Sequence, residues 1–145
     1  MANAPEIRDT YRLKDKTYIE AKALPTVGAA AYSVGFDIGA LTAKGVRLAN
    51  MELELSHPAL AVGLMVNADT LAFDVVTDTV LPIDGSSVVV HTILTALGAG
   101  GVGCAAGKTR YKVPTDFTGK YLGIACTHVG TGAPQTADMT VQLLF

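Results

Sequence analysis

The stretch LGAGGVGCAAGKT, residues 97–109, has the composition of a loop that binds nucleotide phosphates. Gly98, Gly100 and Gly103 have the spacing of the dinucleotide fingerprint G-x-G-x-x-G. In such a site the glycine turn joins a strand to a helix, and the helix N-terminus holds the pyrophosphate. The sequence after Gly103 reads CAAGKTRYKVP, in which a further glycine and a proline leave little room for a helix. The dinucleotide interpretation is therefore not favoured.

The same stretch ends in Gly-Lys-Thr, as the phosphate-binding loop G-x-x-x-x-G-K-T does. That loop requires glycine at position 102, where this chain has Val102. We therefore predict that residues 97–109 form a long, mobile connection between strands, whose glycines permit positive φ angles. No cofactor is predicted.

Three histidines are the next candidates for chemistry, and they lie in different segments. His57, His91 and His128 show neither H-x-H nor H-x-x-x-H spacing. His91 and His128 fall within predicted strands and could meet in space. No cysteine or carboxylate cluster at ligand spacing supports them, so no metal site is predicted.

The carboxylates do not form a recognisable site either. Four aspartates, which do not match the alternating oxygen ligands of a calcium loop, are expected to cap turns and keep strand edges soluble: Asp69, Asp74, Asp78 and Asp84. Glu52 and Glu54 alternate with apolar residues and are expected on the wet face of their strand. Nothing places two carboxylates in a shared cleft for acid/base catalysis.

Nucleophilic catalysis also lacks support. The chain contains no G-x-S-x-G motif and no cysteine beside a convincing base. Cys126 falls on the apolar face of a predicted strand, where a small buried hydrophobe is the usual interpretation, and Cys104 is expected to be exposed. The two cysteines are predicted to be free thiols. No catalytic residue is assigned, and the chain is predicted not to be an enzyme.

Composition and charge exclude further classes of protein. The chain has 145 residues, 50% of them hydrophobic and 17% charged, with a formal net charge of -2. A nucleic-acid-binding protein would normally carry a basic stripe, and this sequence has none. No apolar run is long enough to span a bilayer, and no signal peptide is visible, so synthesis in the cytoplasm is expected.

The charges are unevenly placed. The first 22 residues carry nine charged side chains, whereas no lysine or arginine occurs between Arg47 and Lys108. We expect residues 1–16 to form an extended arm that precedes a single domain at residues 17–145.

Patterns of period two dominate the remaining sequence. MELELSH (51–57), YLGIACTHV (121–129) and DMTVQLL (138–144) alternate or place their apolar residues on one face, as half-buried strands do. SSVVVHTIL (86–94) is rich in β-branched residues and is predicted to be a strand of the sandwich core. Further strands are predicted in KTYIEA, AYSVGFDI, GVRLA, LAVGLMV, LAFDVV and TRYKV.

Turn signals separate these runs at short intervals. The segment GTGAPQTAD (130–138) is predicted to be a hairpin loop, and no segment is a convincing amphipathic helix, although residues 21–24 could form a turn. About nine short strands in this length predict an all-β fold, an antiparallel β-sandwich. Jelly-roll and immunoglobulin-like topologies are both possible, and we favour the jelly roll.

The C-terminal part carries a succession of short motifs, KTRYKVP, GKYLGIACTHVGTGAP and TADMTVQLLF. A basic and aromatic strand precedes one that ends in Val129-Gly130-Thr131-Gly132, and an alternating last strand follows. Together with MELELSHPAL and TLAFDVVTDT, this succession resembles the small jelly-roll cement, or decoration, proteins of tailed-bacteriophage capsids. In that family a strand commonly ends in a V-G-T-G-like turn before the last strand. The resemblance covers residues 51–145.

The resemblance implies a structural protein of the virion. Members of the family assemble as homotrimers on the outer head surface, at or near three-fold positions, and tie neighbouring capsomers together. The implied partners are the major capsid protein and further copies of the chain itself, with no contact to DNA or to a membrane. The family has no catalytic residues to transfer.

The charged arm is the segment expected to reach the capsid. Ile7, Tyr11 and Leu13 would supply apolar contacts among its charges and would become ordered on assembly. The alternative is a frayed terminus without a role.

Other functions stay open at this point. A β-sandwich that binds carbohydrate or another small ligand would need a concave face with aromatic or polar anchors, and the five tyrosines and four phenylalanines are scattered. An enzyme on a jelly-roll scaffold would need a metal cluster that the histidines do not outline. Another head or tail protein of the same virus is a closer alternative.

Overall fold

The computed structural model describes residues 18–66, 68–98, 103–132 and 137–145, which form two antiparallel sheets. Sheet I contains, in spatial order, β1 (Ile19–Ala23), β9 (Asp138–Leu144), β4 (Glu52–His57) and β7 (Gly107–Lys112). Sheet II contains β2 (Ala30–Tyr32), β8 (Tyr121–Val129), β5 (Thr70–Asp78) and β6 (Val88–Leu97), and β3 (Phe36–Asp37) also pairs with β8. The predicted all-β sandwich is confirmed; the jelly-roll topology stays a prediction.

The core lies between the two sheets and follows the period-two pattern. In sheet I, Leu53 lies opposite Leu143 and Leu55 opposite Val141, and all four side chains are buried. In sheet II, Phe73 and the apolar face of β8 meet them from the other side. Burying a side chain of this size contributes about 1.5–3 kcal/mol, so these alternating faces hold the sheets together.

A second, smaller apolar cluster lies on the outer face of sheet II. The loop between β5 and β6 folds back over this face, so that Ile83 packs against Val76 and Ala125. Gly123 permits the approach, because a Cβ atom there would lie 2.7 Å from Ile83 Cδ1 and 2.5 Å from Ser33 Oγ. The loop therefore covers apolar side chains on this face that would otherwise be exposed.

The segment AYSVGFDI is not the single strand that was predicted. It forms β2 and β3, which are separated at Val34, and then α1 (Ile38–Ala43). The backbone of Val34 bonds elsewhere, since its N–H donates to Glu20 Oε1 (2.6 Å) and its carbonyl accepts from Ile83 N–H (2.9 Å). Asp37 caps α1 by accepting from Ala40 N–H at 2.8 Å. The helix was missed because its six residues are too few to show a period.

Four further predictions of local structure were wrong. GVRLA (45–49) forms no strand, and its end overlaps a 3-10 helix (Leu48–Asn50). Residues 61–65 of LAVGLMV form turns, in which the Ala61 carbonyl accepts two hydrogen bonds. Residues 21–23 belong to β1 and form no helical turn. The segment 130–138 is not a hairpin loop, because β8 and β9 belong to different sheets. It carries the chain from sheet II to sheet I.

The close packing at Gly123 generates a testable prediction. Gly123→Ala should destabilise the protein by about 1–3 kcal/mol, the usual cost of overpacking, because the new methyl group meets both Ser33 and Ile83. Gly63→Ala is the matched control, since no atom lies within 4 Å of a Cβ there. Urea unfolding of both variants measures the difference. Equal free energies of unfolding would show that the loop does not press on sheet II.

Candidate functional site

The predicted contact residues Ile7, Tyr11 and Leu13 lie outside the residues that the structure describes. Within the described residues, the candidate functional surface is the free edge of sheet II, formed by β6. This strand pairs with β5 on one side, and no described strand pairs with its other side. The prediction of a core strand was therefore wrong, because β-branched residues suit an edge strand as well as a buried one.

The free edge is apolar and exposed over consecutive residues. Val88, Val89 and Val90 have fractional exposures of 64%, 55% and 41%. Exposed edge strands are usually protected by charged side chains, proline or bulges, because their unpaired backbone groups invite association. The sequence from Gly85 to Gly107 contains no Asp, Glu, Lys or Arg. A long uncharged edge of this kind is typical of a contact surface.

Bulges shape this edge. Phe73 pairs with Leu94 and Asp74 with Thr92, which leaves Ile93 without a direct partner on β5. A second register shift lies between Val75, which pairs with His91, and Val76, which pairs with Val89, so that Val90 also has no direct partner on β5. Such bulges bend a strand and re-aim its side chains. They interrupt the regular ladder at the part of β6 that carries the exposed valines.

The edge of sheet I lies beside β6 and is basic. His91 of β6 and Tyr111 of β7 stack with ring centroids 6.0 Å apart. β7 also carries Lys108, Arg110 and Lys112, which point away from the core. The two edges together form one side of the sandwich, with an uncharged strip next to a cationic one.

Glu54 pairs with two of the three cations of this basic strip, contrary to the expectation that it is solvated. It does point outward from sheet I, but only 2% of it is exposed. Arg110 Nε donates to Glu54 Oε2 at 2.7 Å, Lys108 Nζ lies 3.1 Å from Glu54 Oε1, and Gln142 donates to the same carboxylate. Burial by itself raises the pKa of Glu54, but the bonds from Arg110, Lys108 and Gln142 outweigh it and lower the pKa. The carboxylate is therefore ionised at neutral pH.

A second buried carboxylate, Asp69, holds the V-G-T-G turn. It is 1% exposed, and its side chain accepts from Thr131 N–H (2.9 Å) and Gly132 N–H (2.8 Å) and pairs with His128 Nε2 (3.1 Å). The bond from Thr131 is the largest influence on its pKa, and with those from Gly132 and His128 it outweighs burial and lowers the pKa. The prediction that Asp69 caps a turn is confirmed, whereas its solvent-facing role was wrong.

The remaining aspartates mostly act as predicted. Asp78 accepts from Val80 N–H (3.3 Å) and Asp84 from Ser86 N–H (2.7 Å), and each bond closes a turn two residues ahead of the aspartate. Asp74 instead accepts from the Thr92 hydroxyl across the sheet (2.5 Å). Within the described part of the chain, no group of three or more His, Cys, Asp or Glu side chains is placed to hold a metal ion. His91 and His128 have different neighbours and do not form a pair.

The glycine-rich stretch leads into a strand. Cys104 forms a bridge with Leu60, in which each backbone N–H donates to the other carbonyl (3.0 and 2.8 Å). The chain then enters β7 at Gly107. The helix that a dinucleotide site requires at this position is replaced by a strand, and residues 99–102 lie outside the described residues.

Neither thiol is activated. Cys126 is fully buried, as predicted, and burial together with the nearby Asp74 raises its pKa to about 12. Cys104 was expected to be exposed but is half-buried, and burial raises its pKa as well. Both cysteines are therefore protonated at neutral pH, when a thiol is a poor nucleophile.

An open groove of about 390 Å³ adjoins the start of β6. Its lining is rich in hydroxyl groups and carries one cation and one carboxylate: Thr77, Asp78, Thr79, Ser86, Val88, Thr118, Gly119 and Lys120. No aromatic side chain occurs among these described residues. The groove offers hydrogen bonds but no ring against which a sugar or a base could stack.

No protein-family model matches the chain, and no curated protein matches it. Among the described residues, no helix is both long and apolar enough to cross a membrane.

The candidate edge was not recognisable from the sequence, for an identifiable reason. The run of valines near residue 89 and the absence of charge from Gly85 to Gly107 were both visible. Taken together they indicate a strand that is apolar on both faces, which is either enclosed or covered by another molecule. Only the strand order, which places β6 at the end of sheet II, decides between the two.

The environment of Asp69 predicts a specific acid sensitivity. Because its pKa in the folded protein lies below the ordinary value of 3.8, its stabilising contribution is complete well above pH 3.8. That contribution is lost as the pH falls through the lower, folded-state pKa. Asp69→Asn should therefore lower the melting temperature by several degrees at pH 7, and the difference from the wild type should shrink toward pH 2.

The matched control is Asp116→Asn, which removes an exposed carboxylate. It should change the free energy of unfolding by no more than about 0.5 kcal/mol at either pH. Thermal unfolding by circular dichroism measures all three proteins. A difference between Asp69→Asn and the wild type that is constant from pH 7 to pH 2 would contradict the assignment.

Proposed function

We propose that this chain is a capsid cement protein of a tailed bacteriophage, which forms a homotrimer on the outer head surface and ties capsomers together. The observation that carries the proposal is the free β6 edge, an exposed valine strip within an uncharged interval of the sequence. A protein that acts alone in solution usually places charged side chains along such an edge, whereas a subunit of an assembly covers it with a neighbour.

The order of the strands supports a jelly-roll form of the sandwich. If β2 and β3 are counted as one interrupted strand, the two sheets have four strands each, in the orders 1-9-4-7 and 2/3-8-5-6. Eight strands in two sheets, with connections that pass repeatedly between the sheets, suit the two Greek keys of a jelly roll. This arrangement agrees with the topology implied by the resemblance to cement proteins.

The V-G-T-G motif supports the resemblance in a second way. Thr131 and Gly132 are bound by the buried carboxylate of Asp69, and Gly98 N–H donates to the Asp69 carbonyl at 2.8 Å. Asp69 thus joins the beginning of β5, the end of β6 and the turn after β8. The motif on which the resemblance depends is therefore a fixed structural element of the sandwich.

The proposed mechanism is multivalent attachment. A trimer presents three identical footprints to the shell, so the first contact raises the effective concentration of the other two. Individually weak contacts then give slow release, without chemistry and without contact to DNA. In this proposal the arm at residues 1–16, with Ile7, Tyr11 and Leu13, reaches the major capsid protein.

A ligand-binding module is the second candidate, and the groove beside β6 is the observation that favours it. Its hydroxyl groups could bond a sugar, but the described lining has no aromatic platform, and its volume is at the small end of ligand pockets. The cement proposal accounts for both the groove and the apolar edge as parts of a contact surface.

The native mass of the purified full-length protein tests the proposal. We expect three times the protomer mass of 15.0 kDa, and we expect the trimer to bind phage heads that lack it. Native mass spectrometry and sedimentation with heads measure the two properties, and a chain without residues 2–16 shows whether the arm is needed for attachment. A protein that stays monomeric at all concentrations and does not bind heads would contradict the proposal.

A further inference from the structure

We propose that the β6 edge at Val88, Val89 and Val90 is the surface through which three copies of this chain meet around a three-fold axis. This inference rests on the proposed function. It names the partner that covers the β6 edge, which is a second and a third copy of the chain. The edge contacts itself in the trimer and leaves the arm and the rest of the sandwich available to the capsid.

The distribution of charge selects this surface for self-contact. Near a three-fold axis each side chain faces its own copies, so any charge there opposes two like charges. The interval from Gly85 to Gly107 contains no Asp, Glu, Lys or Arg, and β6 lies inside it. Self-contact between the β6 strands themselves therefore brings no like charges together.

The other free edges of the sandwich do not meet this condition. β1 carries Glu20 and Lys22, and β7 carries Lys108, Arg110 and Lys112. The edge formed by β2 and β3 ends in Asp37. Only β6 combines exposed apolar side chains with a complete absence of charge among the edge strands of the described residues.

The side chains of the edge suit association. Valine is stiff at χ1, so its burial costs little side-chain entropy. β6 is ten residues long, which corresponds to roughly 33 Å. The contact can therefore run along the height of the sandwich and is not confined to one point near the axis.

The bulges argue for a trimer held by side chains and against a dimer held by backbone pairing. An edge strand that recruits a second copy by backbone hydrogen bonds gives a continuous sheet across a two-fold axis. The register shifts that leave Val90 and Ile93 unpaired interrupt the ladder on β6. Regular pairing along this edge is therefore disfavoured, whereas apolar contact between the valines is not.

The test introduces a charge at the centre of the edge. Val89→Lys would place three ammonium groups near the axis. Val62→Lys is the control. Val62 is 45% exposed and Val89 55%, but Val62 lies in the turn after Leu60, away from β6. We expect the wild type and Val62→Lys to be trimers by native mass spectrometry. Val89→Lys should be a folded monomer at the same concentration, with the dissociation constant raised at least tenfold.

A second variant keeps the test independent of the folding of Val89→Lys. Val89→Cys preserves size and neutrality, and mild oxidation of its trimer should link two of the three subunits through a disulfide. Val62→Cys should give no such link.

The outcomes separate the inference from the proposed function. A folded Val89→Lys that remains trimeric would overturn the inference and leave the cement proposal intact. If that trimer also lost its attachment to heads, the β6 edge would face the capsid protein instead. A wild-type dimer would show two-fold pairing of β6 and would overturn the inference as well.

Discussion

Between Arg47 and Lys108 the chain carries six carboxylates and no lysine or arginine, and much of the structure follows from that gap. A carboxylate that becomes buried in this interval must obtain its donors from backbone N–H groups, from histidine or from strands outside the interval. Asp69 uses the first two sources, through Thr131, Gly132 and His128. Glu54 uses the third, and its partners are the first basic residues after the gap.

These two carboxylates join separate strands and turns of the sandwich by hydrogen bonds outside the apolar core. Glu54 links the central strand β4 to the edge strand β7 and to Gln142 of β9 on the outer face of sheet I. Asp69 fixes the turn from which the chain crosses between the sheets. In the same interval β6 also lacks acidic residues, so no charged side chain protects this edge strand, and only the two bulges blunt it. A contact with another protein is the physical alternative to that protection.

The sequence contained much of the fold but little of the candidate surface. β4, β8 and β9 could be predicted because the alternation of a half-buried strand is a local pattern. The partners of Glu54 could not, since they depend on a register that joins residues more than fifty positions apart. In the sequence Asp69 resembles an ordinary turn residue. It is buried because the V-G-T-G turn, more than sixty positions later in the chain, packs over its side chain and donates hydrogen bonds to it. The valines of β6 were ambiguous by nature, because a β-branched run suits a core strand and a covered edge equally well.

The most direct test of this account is hydrogen exchange along β6 in the full-length protein as a function of concentration. If the edge is covered by neighbouring copies, those amides from Val88 to Thr92 that point away from β5 should exchange slowly in the trimer, because the contact excludes water from them. They should exchange much faster after dilution below the dissociation constant, while amides of the core strand β5 remain protected. Fast exchange of the β6 amides in an intact trimer would contradict the account, because the edge would then be open to water while the subunits are associated.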